Sequence, residues 1–136
     1  MCGITGGISF TGEFFPSRDE LQQSSDFLRL RGPDDEGKIF LDQGDAKVAF
    51  AHRRLSIIDL SANGRQPMRS ASGQSWIVFN GEIYNYHTLR NELEKKHFSF
   101  NSRSDTEVIL NAFECWGIAE TLIRLDGMFA FALFDV

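Results

Sequence analysis

Cysteine at position 2 is the first residue of this chain that could do chemistry. Methionine aminopeptidases remove an initiator Met when a small residue follows, and loss of Met1 gives Cys2 a free α-amine. An α-amine has a pKa of about 7.7–8.0 and a thiol about 8.5, so near neutrality the amine can take the thiol proton at little cost. One residue then supplies both nucleophile and base. Acyl transfer also needs donors for a developing oxyanion. Asn80-Gly81, directly after a β-type run, offers a side-chain amide next to an unobstructed backbone N–H. Each signal has a commoner use: Cys as a small apolar residue opening a strand, and Asn-Gly as a tight hairpin turn.

The elements that must position these residues follow from periodicity. Cys2–Phe10 mixes β-branched residues with glycines, which suits a buried strand whose backbone comes close to another group. Ser17 and Glu20 stand at capping-box spacing, and Leu21, Ser24, Ser25 and Leu28 continue one helical face to about Arg31, where Gly32-Pro33 ends it. Short β-type runs follow at Lys38–Leu41, Val48–Ile58 and Trp76–Asn80, separated by polar turns at Asp42–Asp45 and Ala62–Gly64. The pattern then predicts helices over Tyr86–Lys96, over Ser104–Trp116 with Ser104 and Glu107 as a capping box, and over Ala119–Arg124, before a buried strand at Met128–Phe134. Segregated strands and helices fit an α+β layered domain better than regular βαβ winding.

Composition narrows the function classes. With 136 residues, 42% of them hydrophobic and thirteen of them Phe, the chain has material for one globular core. A net charge of −5 without a concentrated Lys/Arg surface argues against a nucleic-acid partner. Cys2 and Cys115 are the two cysteines, and no Cys/His spacing suits a metal, so no metal site is expected. No apolar run approaches the roughly 18 residues of a membrane span, and the N-terminus lacks a basic leader region, so a cytoplasmic protein without a membrane partner is expected.

Further stretches share one pattern: Met-Cys-Gly-Ile at the start, Arg31-Gly-Pro-Asp34, Ala51-His-Arg-Arg-Leu-Ser-Ile-Ile-Asp59, Gln66-Pro-Met68, Phe79-Asn-Gly-Glu-Ile-Tyr-Asn85, Ser104-Asp-Thr-Glu-Val108 and Leu125-Asp-Gly-Met-Phe-Ala-Phe131. Together and in this order they resemble the class II glutamine amidotransferase domain of asparagine synthetase. The joint match is far more specific than any one motif. Leu30 departs from it, since the family usually has His before Arg-Gly-Pro-Asp. Arg31-Gly-Pro-Asp34 and Leu55–Asp59 favour this branch over class II amidotransferases that make glucosamine phosphate or phosphoribosylamine.

The resemblance implies an N-terminal nucleophile (Ntn) hydrolase, a four-layer αββα sandwich that splits L-glutamine into glutamate and ammonia. Cys2 would form a thioester while Asn80 and Gly81 hold the oxyanion. Arg54 would pair with the substrate α-carboxylate and Asp105 with its α-ammonium, with Leu55, Ser56, Ile57, Ile58 and Glu82 also lining the pocket. Asp105 would in addition stabilise the first turn of its helix. Arg53, opposite Arg54 on strand alternation, is given a structural or solvent role. His52 is placed on the face of Arg54's neighbour as a satisfied structural imidazole; His87 and His97 are read as solvated and Cys115 as a small apolar residue. Arg31-Gly-Pro-Asp34 is expected to shape a loop near the site, with Arg31 or Asp34 in an ion pair.

Residues 1–136 are read as this glutaminase domain, incomplete at its C-terminus. No Ser-Gly-Gly-type pyrophosphate loop follows residue 100, so ATP and Mg are expected only in a synthetase domain outside this sequence. Expected partners are L-glutamine, that synthetase domain and a second copy in a homodimer. The ammonia acceptor stays open between aspartate, a sugar carboxylate and another adenylated carboxylate. A non-catalytic glutamine-binding module with a blocked N-terminus is the alternative of another class.

Overall fold

Antiparallel pairing carries the start of the chain to the far end of a strand that begins at residue 47. A computed structural model describes residues 2–11 and 15–136, and Met1, whose removal the Cys2 chemistry requires, lies outside them. Strand β1 (Gly3–Ser9) pairs with β3 (Lys47–Arg54) from Gly3 opposite Arg53 to Ser9 opposite Lys47. Strand β2 (Asp35–Asp42) pairs with the other edge of β3. The second sheet runs β4 (Met68–Arg69), β5 (Ser75–Ile83) and β6 (Gly127–Asp135), with β5 central.

Alternation in β3 separates two environments. Ala49 and Ala51 pack with Leu21 under helix α1 (Arg18–Phe27), while Val48 and Phe50 pack with Val78 of β5 across the gap between the sheets. On the outer side of the second sheet, Ile77, Phe79 and Ile83 form the largest core with Leu89 and Leu93 of α2 (Tyr86–Lys95) and with Val108, Ile109 and Leu110 of α3 (Asp105–Arg124). The layers are therefore helix, sheet, sheet, helices, the αββα order expected.

The Ser17–Glu20 capping box forms, with Ser17 Oγ accepting from Glu20 N at 3.2 Å and Glu20 Oε2 accepting from Ser17 N at 2.8 Å. The helix stops at Phe27, four residues before Arg31, and Leu28 to Gly32 continue as turns. The second expected box does not form. Ser104 Oγ accepts from Thr106 N at 3.1 Å, but the Glu107 carboxylate turns to the preceding loop, accepting from Asn101 N at 2.9 Å and Ser102 N at 2.7 Å. Gly117, at φ 75°, breaks α3 into the two helical stretches anticipated around it. Both strands expected to be buried are only partly so: Ile8 is 49% and Met128 68% exposed, because β1 and β6 are edge strands.

His52 requires a correction. Alternate strand residues share a face, so it lies on Arg54's side of β3, toward the second sheet. Its Nε2 meets the Phe79 carbonyl at 3.1 Å, but its buried Nδ1 has no partner. Burial, aided by the charge of Arg54, lowers its pKa to about 4, so the ring is neutral at pH 7. Between about pH 6.5 and 4 the unfolded chain binds a proton that the folded one refuses, so stability falls with pH by roughly 3 kcal/mol. Denaturant unfolding from pH 7 to pH 4 should show that decline, and His52→Gln should remove this part; an identical pH slope in both proteins counts against it.

Candidate active site

Strand β1 ends where Cys2 begins, and the thiol comes to rest against the residue that leaves β3. Leu55 N–H points at Cys2 Sγ at 3.4 Å, and Sγ faces the Leu55 carbonyl at 3.7 Å. Arg31 Nε donates to the Cys2 carbonyl at 3.2 Å, fixing the backbone of the same residue.

Leu55–Ile58 was expected to extend the strand, yet β3 stops at Arg54. Its partner β1 has run out, and the next amides find other acceptors: Leu55 N the sulfur, Ser56 N the Asp34 carboxylate at 2.8 Å. Asp34 N in turn donates to the Arg54 carbonyl at 3.0 Å. Arg31-Gly-Pro-Asp34 thus shapes the loop beside the site as expected. It does so through backbone hydrogen bonds rather than the anticipated ion pair, for Arg31 and Asp34 form none among the described residues.

A cavity of about 230 Å³, the scale of one small molecule, opens at this end of the sandwich. Cys2, Arg54, Leu55, Ile57, Ile58, Gly81, Glu82 and Asp105 line it, joined by Asp59, Gly64, Gln66 and Thr106, which sequence reasoning did not single out as site residues. Ser56 and Asn80 fall outside the lining. Asn-Gly is no hairpin turn: both residues lie inside β5, where a Cβ on Gly81 would stand 2.3 Å from the Met128 carbonyl oxygen. Asn80 Oδ1 is buried and has no hydrogen-bond partner among the described residues.

Electrostatics divide the cavity. Arg54 is buried and donates to the carbonyls of Ser61, at 2.9 Å, and Asp59, but to no carboxylate among the described residues. Gly64 makes room for its guanidinium, since a Cβ there would lie 2.2 Å from Arg54 Nη2. Asp105, also buried, accepts from Ile83 N at 3.2 Å and has no cationic partner among the described residues. A buried guanidinium and a buried carboxyl, neither in an ion pair among the described residues, therefore share one cavity with a thiol. Arg53, by contrast, pairs with Asp26 and with Glu36 at 2.8 Å and donates to Ser25, the structural role expected of it. Cys115 packs against the helical core, while His87 and His97 are exposed.

The comparisons with known proteins bear on this geometry. The family model described as a glutamine amidotransferase domain matches residues 1–136. The chain belongs to that family. Glutamine-hydrolysing asparagine synthetases 3 and 1 of Bacillus subtilis (strain 168) are 38% and 40% identical to it over 137 residues, covering 99% of this chain. Amidase chry2 of Gibberella zeae is 35% identical over 144 residues. This amidotransferase domain spans 21% of the length of each of these relatives. Among solved structures, the glutamine phosphoribosylpyrophosphate amidotransferase of B. subtilis superposes with a TM-score of 0.56 at 26% identity, over 65% of this chain and 21% of that one. Its fold supports the Ntn-hydrolase sandwich.

Burial raises the pKa of Asp105, helped by the nearby Glu82, and hydrogen bonds from Ile83 and Thr106 only partly offset this. A raised acid costs the folded state stability as pH climbs from the ordinary Asp value through the raised one. Asp105→Asn should therefore melt at pH 7 no lower than the parent, and its stability should lose that pH dependence; a clear drop in melting temperature at pH 7 contradicts it.

Proposed function

We propose that this domain hydrolyses L-glutamine to glutamate and ammonia through a thioester on Cys2. The observation that carries the reading is the pair of buried charged side chains, Arg54 and Asp105, each without an ion pair among the described residues, in one small cavity with the Cys2 thiol. Opposite fixed charges suit the carboxylate and ammonium of an α-amino acid, and the guanidinium fork suits the carboxylate in particular. The family membership and the names of the relatives agree with it.

In the proposed reaction Met1 is absent and the Cys2 amine takes the thiol proton. Sγ attacks the side-chain carboxamide carbon, and the resulting tetrahedral oxyanion is held by Gly81 N–H and the Asn80 side-chain amide. The protonated amine returns its proton to the nitrogen, the C–N bond breaks, and ammonia departs. Water then adds to the thioester, releasing glutamate and regenerating the thiol. Gly81 suits its part for a reason of strand geometry. On alternation its N–H shares an edge of β5 with Phe79 and Ile83, whose N–H groups are taken by Gln66 Oε1 at 2.6 Å and Asp105. The Asn80 side chain has its Oδ1 without a partner among the described residues, so it is not held in another orientation by that oxygen.

Within a longer protein we place this domain as the ammonia source for ATP-dependent amidation of a carboxylate, with aspartate as the favoured acceptor and a sugar carboxylate as the alternative. ATP and Mg would then belong to a synthetase domain, and no metal is assigned to the residues of this one. No helix among the described residues is long and apolar enough to cross a membrane, and we propose a cytoplasmic enzyme.

The deciding experiment treats full-length protein of verified intact mass with a glutamine-analogue affinity label and maps the modified peptide. Label on Cys2 in chains that have lost Met1 is the expected outcome; no label there despite a free N-terminus defeats the mechanism. Cys2→Ala should abolish glutamine hydrolysis and spare any ammonia-dependent synthesis, and loss of both activities contradicts a separable glutaminase.

A further inference from the structure

Arg54 and Asp105 can read an α-amino acid only if their separation is fixed, yet no hydrogen bond or ion pair joins them among the described residues. They come from different sheets, Arg54 from the end of β3 and Asp105 from the start of α3 behind β5. Asp59 spans that gap. Its carbonyl accepts from Arg54 Nη2, its Oδ1 accepts from Ser61 N at 2.8 Å, and its Oδ2 accepts from Arg103 N at 2.7 Å. Ser61 closes the near side, since its own carbonyl accepts from Arg54 Nη1 at 2.9 Å. Arg103 closes the far side, because Ser104, which caps α3, and Asp105 follow it directly. Glu107 clamps Asn101 and Ser102, so the strap that Asp59 grips is itself held to α3.

We propose that Asp59 is a positioning residue for substrate recognition, setting the distance between the carboxylate clamp at Arg54 and the ammonium clamp at Asp105. This rests on the reading of the cavity as an α-amino acid site. Asp59 is 8% exposed and lies in the cavity wall, but it holds Arg54 through its backbone carbonyl and spends its carboxylate on amides. Arg54 therefore forms no direct ion pair with Asp59, although the two charges still interact through space. Burial alone would raise the Asp59 acid; hydrogen bonds from Ser61 and Arg103, with the Arg54 charge, outweigh it and hold the pKa below the ordinary value. The carboxylate is thus charged throughout the neutral range, as two strong acceptor bonds require.

Asn at this position keeps the shape but replaces one acceptor oxygen by a donor, which faces an N–H and breaks one side of the strap. The test measures hydrolysis by full-length parent and Asp59→Asn of glutamine and of 5-amino-5-oxopentanoate, which is glutamine without its α-ammonium. The expected result is a rise of about ten-fold in KM for glutamine, a kcat within about three-fold, and a fall of about ten-fold in the preference for glutamine over the deamino compound. A merely structural role would weaken both substrates together, and an unchanged preference overturns the proposal. Should Asp59→Asn not fold, Asp59→Glu, which keeps both oxygens but displaces them by one methylene, should lose preference in the same direction; full retention overturns the proposal equally. Calorimetric titration of glutamine into parent and variant separates the two readings. Binding that weakens in the variant, in a parent with a free N-terminus that never turns glutamine over, defeats the glutaminase reading and supports this one.

Discussion

The register of β1 against β3 is the constraint on which the rest of this structure depends. Gly3 stands opposite Arg53, so the residue before Gly3 must lie where β3 gives out. A shift of one residue would turn every side chain of β1 to the other face. It would also take Cys2 away from Leu55. The register is held by paired backbone along the whole of β1, by Arg31 on the Cys2 carbonyl, and by Val48 and Phe50 buried between the sheets. A thiol beside the start of the sequence, a region ordinarily among the least ordered of a domain, is thereby tied to the core.

The second theme is charge left unpaired on purpose. A buried ion with no partner costs several kcal/mol unless hydrogen bonds or a shifted pKa relieve it. Arg54 is relieved by two carbonyls and the nearby Asp59 charge, and Asp105 by backbone amides and a raised pKa, each incompletely. Elsewhere the chain neutralises its charges readily, as Arg53 does with Asp26 and Glu36. Adjacent arginines of identical chemistry thus have opposite fates, decided by the two faces of one strand.

Much of this was legible beforehand, and the failures have physical causes. The Ser17 cap, the break at Gly117 and the division between Arg53 and Arg54 follow from periodicity, capping chemistry and alternation, whereas the layer order was implied by the family resemblance. Leu55–Ile58 misled because β-branched composition cannot announce that the neighbouring strand ends. The Glu107 carboxylate misled because its competing acceptor role lies toward amides at Asn101 and Ser102 that spacing alone does not reveal. Asp59 and Gln66 closed or opened motifs already noticed in the sequence, but their work is to bind backbone far along the chain, and a pattern of side chains is silent about distant amides. For the site itself, Cys2, Arg54, Gly81, Glu82 and Asp105 do meet in one cavity, whereas Asn80 sits just outside its wall.

The edge of β5 beyond Ile77 has a consequence of a different kind. β4 is only two residues long and pairs no further than Ile77, so this edge continues without a neighbouring strand. Gln66 and His52 occupy both polar groups of Phe79, and Asp105 occupies the amide of Ile83. An open edge invites strands from other molecules, and side chains that consume its donors and acceptors remove the template for such stacking. Gln66, His52 and Asp105 thus leave fewer free backbone groups on this edge for an added strand.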